Sequence, residues 1–86
     1  MNGTMLLQQA ARVVADRRER YGDPEDLFRR IAVRWSQTLD VPVTPAQVAL
    51  CLIDLKLARL AHDPTHGDSV IDVAGYAACL EEVVRP

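Results

Sequence analysis

Eighty-six residues, 49 % hydrophobic and 26 % charged, are enough for one domain spanning residues 1–86, which buries only about 60–65 % of the surface its unfolded chain exposes. A formal net charge of −2 argues against a protein that grips nucleic acid by bulk electrostatics, because neutralising phosphates calls for a clear basic surplus. No segment approaches the roughly 20 uncharged residues of a membrane span, no basic region precedes a long apolar one at the N-terminus, and Cys51 and Cys79 lack metal-type spacing, so a reduced, cytoplasmic protein without a membrane partner is expected.

Thr4 can cap a first helix running to about Arg20, with Leu6, Leu7, Ala10, Val13 and Val14 at the three-to-four spacing of a core stripe. Gly22 ends it. The run Arg17-Arg18-Glu19-Arg20 suits a solvated last turn that complements the helix dipole, or an anion-binding patch. Asp23-Pro24-Glu25-Asp26 then has the form of a helix start: a capping side chain, proline at the first helical position and acids in the first turn. This second helix extends to about Leu39. Leu27, Phe28, Ile31, Trp35 and Leu39 mark its buried side, while Arg29, Arg30 and Arg34 face solvent or, with Arg17 and Arg18, flank a groove.

Thr44, Pro45 and Gln47 give a third helix a capping box with proline in the first turn, and the helix continues to about His62. Apolar residues from Val48 to Leu60 cover nearly its whole circumference, the pattern of a central helix packed on more than one side. Asp68 or Ser69 caps the fourth helix, which continues to Val84. Gly75 interrupts it, and glycine there costs about 1 kcal/mol relative to alanine, so close approach by a neighbouring helix or a ligand is expected. No segment alternates with a period of two, and the fold class is all-α, a compact four-helix assembly. A core this small is commonly completed by a second copy of the chain, so a homo-oligomer is expected.

The charges within the apolar third helix need a reason, since an unpaired buried charge costs several kcal/mol. Lys56, Arg59 and Asp63 fall on one side of that helix, and Asp54 points roughly the opposite way. The partners of Lys56 and Arg59 must therefore come from Asp63, another helix, another subunit or an anionic ligand. Asp68, Asp72 and Tyr76 form a stripe at four-residue spacing on the fourth helix, which brings Asp72 toward Lys56 or Arg59. One reading is an interhelical ion pair with a hydrogen bond from Tyr76, fixing helix register without any activity. The other is a pocket for a nucleotide-like ligand: Lys56 and Arg59 hold phosphates, the start of the fourth helix donates N–H groups, Asp68 and Asp72 line the site, and Tyr76 or Trp35 meets a base. In that pocket Asp68 and Asp72 could instead hold a magnesium ion bridging to phosphates; otherwise no cofactor is implied. His62 and His66 flank Pro64 in a loop and lack the further ligands of a zinc site.

Tyr21-Gly22-Asp23-Pro24, Phe28-x-x-Ile31-Ala32 with Trp35-Ser36, Leu55-Lys56-x-Ala58-Arg59-Leu60 and Asp68-Ser69-x-x-Asp72-x-Ala74-Gly75-Tyr76-Ala77 resemble small phage and prophage proteins of unassigned function. The resemblance covers about Asp16 to Leu80 and implies no activity. More distantly, acids on two neighbouring helices are similar to the MazG-like all-α nucleoside triphosphate pyrophosphatases, whose magnesium site uses Glu-x-x-Glu and Glu-x-x-Asp. This chain departs from that pattern: Asp54 has no carboxylate three residues away, and Asp68-x-x-x-Asp72 has another spacing. Three functions follow as expectations: a binder of an anionic nucleotide-like molecule, in this setting one that sequesters a host-defence signal; a magnesium-dependent pyrophosphatase; and a non-enzymatic module that binds a host protein.

Overall fold

The computed structural model describes residues 1–85. Among them the chain is all-α, with no strand: α1 (Gly3–Tyr21), α2 (Pro24–Leu39), α3 (Pro45–His62) and α4 (Gly67–Val84). Two of the starts follow from local chemistry as the sequence foretells. Asp23 caps α2 by accepting the Glu25 N–H at 3.0 Å, with Pro24 in the first turn. Thr44 and Gln47 form a reciprocal capping box on α3, at 3.1 and 2.9 Å.

The other two starts are corrections. α1 begins ahead of Thr4, because Asn2 takes the Met5 N–H at 2.9 Å, and asparagine caps at least as well as threonine. α4 is capped by His66 rather than by Asp68 or Ser69: its Nδ1 accepts the Ser69 N–H at 3.3 Å and lies 2.7 Å from the Ser69 hydroxyl. Ser69 is fully buried, so the imidazole also satisfies a hydroxyl shut off from water. His66→Ala should therefore cost about 1 kcal/mol or more, read as a lower denaturant midpoint, while Asp68→Ala, exposed and outside the cap, should leave it nearly unchanged.

Between α2 and α3, Ser36 gives its hydroxyl to the Ala32 carbonyl at 2.7 Å and accepts the Val43 N–H at 2.8 Å. The connector is thereby tied back to the helix it leaves. Asp40 ends α2 in the left-handed region at φ 56° without a glycine.

Phe28, Ala32, Val48 and Ala49 form the buried cluster, with Leu27, Ile31, Trp35, Leu52, Tyr76 and Leu80 packed around it. The central helix is α4, not α3. α4 packs on all three other helices and most heavily on α3, whereas α3 meets α2 and α4 but not α1, and α2 touches all three more lightly. Small residues contribute: Ala74 and Gly75, both partly buried, let neighbours approach α4 closely. Gly75 itself is not obligatory, since a Cβ there would sit 3.7 Å from Val14 Cγ2, an ordinary contact. The outer side of α3, by contrast, stays open, with Leu50, Leu55 and Leu57 each about half exposed.

Candidate functional site

α4 places Asp72 and Tyr76 one turn apart on its inner side, and α3 projects Lys56 toward them. Lys56 Nζ lies 3.0 Å from Asp72 Oδ2, with the two side chains only 13 % and 18 % exposed. Of the two cations on α3, then, Lys56 is the one that meets Asp72. From α1, Arg17 approaches the other carboxylate oxygen of Asp72 at 4.0 Å, and the neighbouring Arg18 pairs with Glu82. Two acids thus serve three cations. The Glu82 oxygen not used by Arg18 is buried and has no partner among the described residues.

Of these charges, Arg17, Arg18 and Asp72 line a cleft of about 290 Å³ between α1, α2 and α4, just under the range for small-molecule sites. Val13, Val14, Leu27, Phe28, Ile31 and Leu52 make its walls apolar, and Arg17, Arg18, Asp72, Tyr21 and Tyr76 supply the polar atoms. Gly75 lies in the lining, so the break in the apolar stripe of α4 falls where the cleft needs room. The arrangement suits a flat or apolar body carrying a negative group, the body among the aliphatic walls and the charge toward Arg17.

Of the residues singled out from the sequence, Lys56 and Asp72 come together, and Asp72 and Tyr76 line the cleft. Tyr76 packs with its ring against the core cluster, and Trp35 packs on that cluster outside the cleft. Arg59 lies elsewhere, in a shallow depression with Leu55, Ala58, His62, Asp63 and His66. Asp68 is exposed in the first turn of α4 and borders neither hollow. Asp63 is occupied within its own loop: the Thr65 hydroxyl at 2.6 Å and N–H at 3.0 Å hold its carboxyl below the usual carboxylate range. Asp54 is exposed on the far side of α3. Among the described residues no three His, Cys, Asp or Glu side chains gather as a metal site.

Arg17 and Arg18 are the site residues that charge reasoning underweighted. Their signal was present in the run of arginines before Gly22, but a basic last turn looks the same in sequence whether it faces water or a cleft. Cys79, half-buried in the cleft wall, likewise carries no sequence signal beyond its lack of metal-type spacing. Burial, then the Glu82 carboxylate, push its thiol above the ordinary 9.0, against the pull of Arg17 and Arg18. The folded chain thus holds the thiol proton more tightly than the unfolded chain, so this contribution to stability is intact at neutral pH and is lost as pH rises through the raised value. In a Cys51→Ser background, alkylation of Cys79 should stay slow at pH 8 and accelerate only above about pH 9. A midpoint below that of a free thiol would contradict this assignment.

Fold and site together define a small all-α protein with a charge-rimmed apolar cleft. The chain belongs to the family described as a domain of unknown function, DUF6378, whose family model matches residues 5–84. It is similar to the Gene 55 protein of Mycobacterium phage L5, 37 % identical over 83 residues, which cover 94 % of this chain and 53 % of that protein. It is also similar to the Gene 55 protein of Mycobacterium phage D29, 35 % identical over 79 residues, covering 91 % of this chain and 52 % of that protein. The chain therefore spans about half the length of these relatives. No solved structure matches it. No helix among the described residues is long and apolar enough to cross a membrane.

Proposed function

We propose that the chain is a phage or prophage accessory protein that binds an anionic nucleotide-like molecule in the α1–α2–α4 cleft, sequestering a nucleotide signal of host defence in the cytoplasm of the infected or lysogenic cell. The supporting observation is the pairing of an apolar cavity with cations outnumbering the acids that serve them. Asp72 is shared between Lys56 and Arg17, so an incoming phosphate can take Arg17 without leaving Asp72 unpaired. In this reading Arg17 and Tyr76 contact the ligand, Lys56 holds Asp72 in place, and Arg59 and Asp68 stand outside the site.

A thermal-shift panel of mono-, di- and triphosphate nucleosides and cyclic nucleotides, with and without magnesium, tests the proposal. A ligand at a hundred times its dissociation constant adds about 2.7 kcal/mol, a rise of about 10 °C or more for a domain of this size. Arg17→Ala, at a largely exposed position, should abolish the rise while leaving the unliganded midpoint within a few degrees. No shift with any member overturns the proposal and turns attention to the module that binds a host protein. The magnesium-dependent pyrophosphatase reading is less well supported, because Asp68 borders neither hollow and the two oxygens of Asp72 face Arg17 and Lys56. Nucleotide turnover abolished by Asp72→Asn would restore it.

A further inference from the structure

The open side of α3 carries a second inference, independent of the cleft. Leu50, Asp54, Leu57, Ala58 and Ala61 fall at i, i+4, i+7, i+8 and i+11, a continuous stripe with Cys51 at its edge, and all six are exposed. Lys56, six residues after Leu50, points the opposite way, into the fold and toward Asp72. A helix apolar around nearly its whole circumference belongs in an interior, and this one is covered on one side only.

Two global quantities say that the chain alone is incomplete. A monomer of 9.6 kDa is expected to expose about 5,100 Å², yet this one exposes 5983 Å². The surplus, about 900 Å² by that scaling, is close to the roughly 800 Å² that each partner contributes to a standard interface. The radius of gyration agrees: 13.5 Å against about 12 Å expected for this length. Asp54 is the one charged residue within the stripe, and Arg59 lies with Lys56 on the other side of the helix.

We propose that the Leu50–Ala61 face of α3 is a self-association surface, closed by a second copy of this chain. Sedimentation equilibrium of the chain at submillimolar concentration should give twice 9.6 kDa. Leu57→Glu and Ala58→Glu, each made separately at an exposed position, should weaken association by about 100-fold or more, as burying an unpaired charge does, with the far-ultraviolet helical signal unchanged. A wild-type chain that stays at 9.6 kDa overturns the proposal and leaves the face for the additional half of the longer relatives or for another protein. A dimer that survives both substitutions overturns it too, by showing that another face is used. Because the stripe points away from the cleft, nucleotide-induced thermal shifts should be the same in the dimer and in the folded monomeric variants, so failure of either proposal leaves the other standing.

Discussion

Lys56→Ala is expected to lower the unfolding midpoint by about 12–24 °C, the equivalent of roughly 3 kcal/mol in a domain of this size. The cause is not the loss of an attraction in water, which is worth under about 1 kcal/mol for an exposed pair. It is that Asp72, only 18 % exposed, would be left with Arg17 at 4.0 Å as its remaining cation. The same logic makes the double substitution Lys56→Met with Asp72→Leu much milder than either single change, because no charge is then stranded. A loss below about 1 kcal/mol for Lys56→Ala would mean that solvent reaches the pair and that it behaves as a surface contact.

Phe28→Ala should cost about 3–5 kcal/mol, a large share of the roughly 4–13 kcal/mol a chain of this length commands. Phe28 is 3 % exposed and is the largest member of the buried cluster, while another part of the same ring lines the cleft. The cost should fall near the lower end, since the vacated space opens into the cleft and water can enter it. Phe28→Leu, closer in volume, should cost about 1.5 kcal/mol or less. Urea denaturation with an unchanged m-value checks both, and nucleotide binding should fall in Phe28→Ala even at temperatures where the variant is folded.

What the sequence made legible depended on whether the deciding interaction was local. The Asp23 and Thr44 caps needed only neighbours two or three residues away, and both starts were read correctly. His66 escaped because histidine is not a usual cap; its choice over Asp68 depends on the burial of Ser69, which is a matter of tertiary packing. Helical phase alone put Lys56 and Asp72 on facing sides, but it could not separate Lys56 from Arg59, which lie three residues apart and differ only in where α4 crosses α3. Nor could it place Arg17, whose role is set by the packing of α1 against α4. The apolar girth of α3 was read as a sign of centrality, whereas in the single chain it marks an uncovered face.

α1 has one buried residue, Ala10, packs chiefly on α4, and does not reach α3. Local opening follows the least burial, so the first excursion of this fold should be α1 swinging off a hairpin of α3 and α4 that stays shut. Arg17, Arg18, Val13 and Val14 would leave together, dismantling one wall of the cleft while the other two remain. Amide exchange should therefore be fastest through α1, and an occupant of the cleft should slow it there more than anywhere else. Under the proposed binding role this amounts to a release route: the hold on a ligand would be limited by how tightly the first helix is docked.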